Sequence, residues 1–305
     1  MKLLQIYNVC GISGRQNGTY YVDCLKALIN QQGLGEGSKV VVSSCASVPE
    51  IVTNLPKVFG NHISYNWIPD RFPLGVTFNH SVQKMVDHFG PFDGYLYHDS
   101  GICVYGQWGF AHQLAAHHKA EGDNAITAAF PSNDDGHQWW KLDLKPGPNT
   151  LPIGKATNMH CQIFDESWRL AYGRILPDVF ASDRSESVFT FMAAAINRKV
   201  QLLTHITALH AHSMDGASSG FRGQLLYPNH PLQKSFDQVY QEGHKYGYSY
   251  EECDPSGRYK HDPSKFDEKG HAKDPNLLPF IKENLFLSEK FFDYSKINHT
   301  FVPGA

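Results

Sequence analysis

Apolar residues recur along the first hundred positions with two different periods. Short apolar or β-branched runs predict strands at residues 3–9, 39–43, 63–68 and 94–98. Between these runs, apolar residues spaced three and four apart predict amphipathic helices over 20–31 and 77–88, and a shorter helix after the second strand. This alternation is typical of a mainly parallel sheet covered by helices, so the pattern predicts an α/β fold.

The second half of the chain is less regular. Its pattern predicts helices over 106–120, 185–196 and 279–291, and strands over 125–130, 158–164 and 200–209. Ser182 or Asp183 is a candidate cap for the helix at 185. Residues 222–275 are rich in Tyr, His, Lys, Asp, Pro and Gly with little periodicity, which predicts an irregular excursion before the last helix.

Composition narrows the class of protein. The chain has 305 residues, 41% of them hydrophobic, and a formal net charge of −3. This length allows one large domain, or one domain with an appendage. A slightly acidic chain has no long-range attraction for nucleic acid, so nucleic acid is not expected as a partner.

The expected compartment is the cytoplasm. No long apolar run suggests a transmembrane segment, and the first residues become polar too early for a signal peptide. The six cysteines show no C-x-x-C spacing, and several lie in apolar segments, as expected for free thiols in a reducing compartment.

Asp99 is the first candidate functional residue. It follows the apolar run Tyr95–Tyr97, so it is expected at the carboxyl end of a buried strand, where open α/β sheets bind ligands. A carboxylate there can ligate a divalent cation that carries phosphate. The alternative is an ordinary turn residue that bonds nearby backbone amides before Gly101.

Two further segments carry polar side chains that could act in a cleft. Glu186 is expected in the first turn of a helix, where it is either a general base or an ordinary helix-terminal acid. His210 and His212 follow the last predicted strand, and H-x-H spacing directs both imidazoles to one side of an extended segment. They are either a ligand pair or surface histidines of a loop.

Taken in order, these segments resemble the GT-A nucleotide-diphospho-sugar glycosyltransferases, nearest to the inverting family 2. The resemblance covers residues 1 to about 220, and order and spacing carry it more than any single motif. The matching features are Tyr21, Leu25 and Gln31 in the first helix, Val40–Ser47 in the second strand, Asn79, His98–Gly101 at the D-x-D position, Ser185–Phe189 at the Glu-Asp position, and His210 or His212 after the last strand.

The resemblance implies a fold and a division of the chain. It implies a GT-A type, Rossmann-like mixed sheet, mainly parallel, with helices on both faces. The glycosyltransferase domain would span 1–221, with a nucleotide-sugar-binding half at 1–105 and an acceptor and catalytic half at 106–221. Residues 222–305 would form an irregular C-terminal extension with a terminal helix.

The resemblance also implies a reaction. A sugar would pass with inversion from a nucleotide-diphosphate donor, expected to be a UDP-sugar, to a hydroxyl of a carbohydrate or glycan acceptor. Glu186 would be the catalytic base, and Mn²⁺ or Mg²⁺ would be the cofactor. Donor-binding residues would be Tyr7, Asn8, Ser44, Asn79 and Asp99, and the metal ligands would be Asp99 with His210 or His212.

This sequence departs from the family pattern at two positions. Gly101 replaces the second acid of D-x-D, and Ser187 replaces the acid after Glu186. Asp99 is therefore expected to be the only carboxylate of its motif on the metal, and Glu186 the only candidate base of its pair.

The sequence leaves two other functions open. His210, His212 and Asp215 also fit part of a metal-dependent hydrolase motif, and the incomplete D-x-D fits a catalytically silent sugar-nucleotide-binding protein. Among aromatic residues, Trp139 and Trp140 could stack on a sugar face or form a core pair. Trp168 and Asp178 are weaker candidates for the border of an acceptor cleft.

Overall fold

A computed structural model of the chain describes residues 1–9, 18–47, 49–99, 102–103, 107–132, 144–154, 161–178, 188–210, 241–249, 260–291 and 293–305. The strands are β1 (Leu3–Asn8), β2 (Lys39–Cys45), β3 (Ser64–Ile68), β4 (Gly94–Asp99), β5 (Ile102–Cys103), β6 (Asn124–Ser132), β7 (Pro148–Thr150), β8 (Cys161–Asp165), β9 (Lys199–His210), β10 (Tyr248–Ser249), β11 (Lys260–His261) and β12 (Thr300–Val302).

Seven α-helices whose bounds lie within the described residues are found between and after these strands. They are α1 (Gly18–Ile29), α2 (Pro49–Phe59), α3 (Leu74–Phe89), α4 (Phe110–Ala120), α5 (Glu166–Tyr172), α6 (Phe189–Ala195) and α7 (Leu277–Leu285). Within the described ranges, no helix has both the length and the apolar character needed to cross a bilayer.

One large mixed sheet organises the molecule. Nine of its ten strands follow the order β12-β3-β2-β1-β4-β8-β6-β9-β5, and β7 pairs with β9. Strands β3, β2, β1, β4, β6 and β9 run in one direction, because β8 is antiparallel to both β4 and β6. The predicted mixed, mainly parallel α/β sheet is confirmed.

Helices cover both faces of this sheet. Along β1, Leu4 and Ile6 belong to one buried cluster, whereas Leu3 and Tyr7 belong to the other, as the alternation of side chains along a strand requires. Helices α3, α6 and α7 contribute to the first cluster, and α1, α2 and α4 contribute to the second. A sheet buried on both faces explains the continuous apolar runs that predicted its strands.

The C-terminal residues join the same sheet and core. Strand β12 pairs antiparallel with β3, placing Phe301 opposite Asn66. Leu277, Ile281 and Leu285 of α7 are buried in the first cluster with residues of β1 and β4. The described part of the predicted extension therefore packs on the sheet, while the division at 221/222 stays a prediction.

Some helices and strands differ from those that the sequence predicts. The helix predicted at 185–196 is described from Phe189, and the last helix is shorter than expected, ending at Leu285. Helix α5 and strands β7 and β12 were not anticipated. Cys24, Cys45 and Cys161 are buried thiols outside any disulfide, as the sequence predicts for these three cysteines.

Candidate functional site

The carboxyl ends of three parallel strands meet at one edge of the sheet. The register of β1 places Asn8 opposite Ser43 of β2 on one side and Asp99 of β4 on the other. We call these strand ends, at Asn8, Ser43–Cys45 and Asp99, the carboxyl edge. Adjacent strands lie about 4.8 Å apart, so the three predicted site segments are direct neighbours.

Hydrogen bonds hold the turn after β2 against its neighbours. The Ser44 hydroxyl donates to Ser47 Oγ at 2.8 Å, and Ser47 Oγ donates to the carbonyl of Val9 at 2.7 Å. Ala46 has a positive φ of 50°, and its amide donates to the carbonyl of Ile68 at the end of β3. These bonds tie the ends of β1, β2 and β3 together, so this part of the carboxyl edge is preorganised.

The predicted donor-binding residues of β1 and β2 are largely covered. Tyr7 is 0% exposed and belongs to the buried cluster formed with α1, α2 and α4. Its ring is therefore not exposed to a ligand in this structure. Tyr7 packs in the core directly before Asn8 of the carboxyl edge. Asn8 and Ser44 are 6% and 4% exposed, and their contact with a donor stays a prediction.

The fold brings the Asp99 segment close to the end of β9. Strand β5 follows Asp99 after two residues and pairs antiparallel with β9, with Ile102 opposite His210. Three residues of extended chain span at most about 11 Å, so Asp99 and His210 end at the same region of the sheet. A carboxylate, a neighbouring amide and an imidazole are donors that suit a hard divalent cation.

Other predicted site residues lie outside the described residues. These are Glu186, His212, Asp215, Trp139 and Trp140. Glu186 precedes the fully buried Val188 by two residues, and α6 begins at Phe189. Among the described residues, no three His, Cys, Asp or Glu side chains are arranged to hold a metal ion.

Asn79 has a structural role that the sequence did not reveal. Its Oδ1 accepts the backbone amides of Ile175 and Leu176 at 3.0 Å each, and its Nδ2 donates to the carbonyl of Leu176 at 2.7 Å. The side chain is 4% exposed. Asn79 thereby fixes the segment that follows α5 against α3, and its predicted contact with a donor has no support in this geometry.

Two weaker sequence candidates prove to be core residues. Trp168 is 0% exposed, and its Nε1 donates to the carbonyl of Ile175 at 2.9 Å, so it cannot border a cleft. Asp178 is also 0% exposed, since its carboxylate accepts Arg174 and the backbone amide of Leu287, each at 2.8 Å. Both predictions are wrong, because these polar groups satisfy buried backbone and charge.

A buried polar pair beneath the carboxyl edge was missed by the sequence reading. His98 Nδ1 lies 3.4 Å from the sulfur of Cys161, and both residues are almost fully buried. Burial lowers the pKa of His98 to about 3 and raises that of the Cys161 thiol, so both are neutral near pH 7. The only signal in the sequence was a histidine inside an apolar strand.

Comparison with known proteins by sequence finds no relative. No family model matches the chain, and no curated protein matches it. Comparison with solved structures gives 267 matching chains.

Three of these structures illustrate the likeness. S. aureus TarS has a TM-score of 0.52 at 13% identity, over 69% of this chain and 37% of TarS. The mannosyltransferase PcManGT from Pyrobaculum calidifontis, solved with GDP-Man and Mn²⁺, has a TM-score of 0.53 at 11% identity, over 96% of this chain and 76% of its own. GalNAc-T7, solved with UDP, GalNAc and Mn²⁺, has a TM-score of 0.51 at 10% identity, over 68% and 43%.

All three have a GT-A type fold, and one of them is named as a mannosyltransferase. Identities this low relate folds and do not transfer an activity. The chain spans 37% of TarS and 61% of a TarS fragment solved with UDP-GlcNAc. The chain therefore has the GT-A type fold, with its candidate site at the carboxyl edge of the sheet.

Proposed function

We propose that this protein is a metal-assisted glycosyltransferase that uses a nucleotide-diphosphate sugar. The observation that carries the proposal is the register that aligns Ser43, Asn8 and Asp99 at the carboxyl edge of a GT-A type sheet. In open α/β sheets, ligands bind outside the carboxyl ends of the strands. Related folds solved with UDP-GlcNAc, with GDP-Man and Mn²⁺, and with UDP and Mn²⁺ support this class of donor.

Asp99 is the proposed carboxylate ligand of Mn²⁺ or Mg²⁺, with His210 or His212 as a second ligand. When bound, the divalent cation would offset the negative charge of the diphosphate as it leaves. The close passage of the β5–β9 pair past the end of β4 supports this assignment. Asn8 and Ser44, on the two adjacent strands, are the proposed contacts for the nucleotide.

Glu186 is the proposed general base. Its carboxylate would take the proton of an acceptor hydroxyl while the hydroxyl oxygen bonds to the anomeric carbon of the donor sugar. The bond from that carbon to the diphosphate breaks at the same time, which inverts the configuration and releases a nucleoside diphosphate. A base of this kind contributes about 10²- to 10⁴-fold to the rate.

The proposal also specifies the donor, the acceptor and the compartment. The donor is a UDP-sugar, the acceptor is a carbohydrate or glycan hydroxyl, and the protein acts in the cytoplasm. Donor-dependent folding stability provides a direct test, since a ligand at about 100 times its dissociation constant raises the free energy of unfolding by about 2.7 kcal/mol.

The binding experiment is a thermal-shift screen of UDP-, GDP-, dTDP- and CDP-sugars, each with and without Mn²⁺. We expect a metal-dependent shift with a UDP-sugar, and no such shift for Asp99→Ala. Asp87→Ala is the control, because Asp87 is an exposed carboxylate of α3 that accepts a hydrogen bond from Gln83. No shift with any sugar nucleotide, or an equal shift in Asp99→Ala, contradicts the donor site.

The base is tested separately by transfer to an acceptor. Glu186→Gln keeps the size of the side chain but cannot take up the proton, so the transfer rate should fall about 10²- to 10⁴-fold while the donor-induced shift remains. Transfer at the wild-type rate would rule Glu186 out as the base. A donor that binds but is never transferred by the wild-type protein would favour the catalytically silent binding protein.

A further inference from the structure

Two histidines from different elements converge on the face of the sheet covered by α4. His117 lies in the third turn of α4, and His205 lies in β9. Their Nε2 atoms are 3.0 Å apart, and their rings are nearly perpendicular, with centroids 4.7 Å apart. Neither residue takes part in the proposed transfer reaction.

The spacing of the two nitrogens matches that of two ligands on one metal ion. Two metal–nitrogen bonds of about 2.1 Å separate their nitrogens by about 3.0 Å at a right angle and about 3.4 Å at the tetrahedral angle. A small rotation of either ring covers this range. The pair is therefore preorganised to chelate.

A bulge in β9 directs His205 toward α4. The register between β6 and β9 shifts between the pairs Ala129–Leu203 and Phe130–Thr207, so residues 204–206 have no counterpart on β6. Bulges of this kind re-aim side chains. The bulge is clamped at its start, where Thr204 Oγ1 accepts the amide of Gly147 at 2.8 Å and the amide of Thr204 donates to the carbonyl of Gly147 at 3.1 Å.

Packing between α4 and β9 holds the two histidine-bearing elements together. Leu114 and Ala115 of α4 lie in the same buried cluster as Leu203 and Ile206 of β9. The two backbones are therefore held at a set distance, and binding requires only that the hydrogen bond between the two Nε2 atoms gives way to the ion, with a small rotation of the rings.

We propose that His117 and His205 form a two-histidine site for a late first-row transition-metal ion such as Zn²⁺, Ni²⁺ or Cu²⁺. Imidazole nitrogens suit these ions, and Mn²⁺ binds such ligands most weakly in the series. The remaining coordination positions are open to water or to a further ligand, since no third described side chain completes the site. The ion links α4 to the bulge of β9.

This site is separate from the proposed donor site. His205 lies five residues before His210 on β9, a distance of up to about 17 Å along the strand. The two sites also differ in chemistry, because the proposed donor site includes the carboxylate of Asp99, whereas the pair offers only imidazole nitrogens. Loss of one site should leave the other intact.

Titration calorimetry of the full chain with Ni²⁺ at pH 7.5 tests the proposal. We expect the wild-type protein to show one tight Ni²⁺-binding event that neither His117→Ala nor His205→Ala shows at the same affinity. Each of these variants should weaken that event about 10²-fold, because the second ligand no longer acts at high effective concentration. His62→Ala, which removes an exposed histidine of a 3-10 turn, should bind as wild type does.

Two further measurements keep the result interpretable. Circular dichroism and thermal unfolding without metal should match wild type for both variants, and Ni²⁺ should raise the melting temperature only where both histidines are present. At pH 5 the wild-type event should be lost, since a protonated imidazole cannot ligate. Equal Ni²⁺ affinity and stoichiometry in wild type and either single variant, or no such event in wild type, overturns the proposal.

Discussion

The side-chain amide of Asn79 takes the place of a backbone hydrogen-bonding partner. It accepts two backbone N–H groups and donates to one carbonyl of the segment that follows α5, all at 2.7–3.0 Å in a buried location. Buried backbone groups without partners are costly, so this one side chain stabilises a non-regular segment that has no strand partner. The same segment leads toward Glu186, which makes Asn79 a support of the proposed catalytic half.

Asn79→Ala should lower the free energy of unfolding by about 2–4 kcal/mol, since it leaves two buried N–H groups and one carbonyl unpaired. Chemical denaturation at neutral pH measures this change. Asn30→Ala is the matched control, because its exposed Nδ2 donates to the carbonyl of Lys26 within the same helix end, and it should change stability by less than about 0.5 kcal/mol. Similar losses in the two variants contradict the role assigned to Asn79.

At the scale of elements, α3 and the segment after α5 approach each other too closely for any side chain. A Cβ atom built on Gly75 would lie 2.1 Å from the carbonyl oxygen of Pro177. Asn79 bonds the same segment one helical turn later, so the close approach and the hydrogen bonds act together. Asp178 extends the contact to the C-terminal residues, because its amide donates to the carbonyl of Leu285.

Gly75→Ala should therefore destabilise the protein by about 1–3 kcal/mol through overpacking, although alanine favours helix elsewhere. Denaturant unfolding gives the value. Gly109→Ala serves for comparison, since its nearest neighbour outside the helix backbone is the Gln113 Nε2 at 3.5 Å. That variant exchanges a glycine N-cap for alanine and should lose less than about 1 kcal/mol. An unchanged stability for Gly75→Ala would show that α3 can move away from Pro177.

At the scale of the whole molecule, the C-terminal residues pack against the N-terminal half of the sheet. Beside β12, His299 and Tyr294 pack on the ring of His80, which is 1% exposed. The Nδ1 of His80 lies 3.0 Å from Asn66 Nδ2 of β3. Burial, with repulsion from His299 and Lys84, lowers the pKa of His80 to about 3.

This arrangement makes stability depend on pH. Below about pH 6.5 the unfolded chain binds a proton at His80 that the folded protein does not bind until about pH 3. The free energy of unfolding is therefore not lowered by His80 above about pH 6.5, and it falls by up to about 1.4 kcal/mol for each pH unit below that value. Buried His98 contributes in the same direction.

His80→Gln should reduce the loss of unfolding free energy between pH 7 and pH 5, because glutamine does not titrate. Denaturant unfolding of each variant at both pH values gives the difference, so a lower overall stability does not affect the result. His62→Gln, at an exposed position, should retain the wild-type difference. An identical pH difference in His80→Gln and wild type would mean that His80 is not held neutral by the C-terminal residues.

The amino-acid sequence by itself determined the order of most strands and helices, the α/β class and the position of Asp99 at a strand end. These depend on local periodicity, which residues 3–9 and 94–98 express clearly. The tertiary structure alone decided that β12 pairs with β3, that α5 forms, and that Asn79, Trp168 and Asp178 are buried structural groups. It also brought His117 and His205 together. Pairing, burial and convergence depend on residues far apart in the chain, for which no local pattern carries a signal.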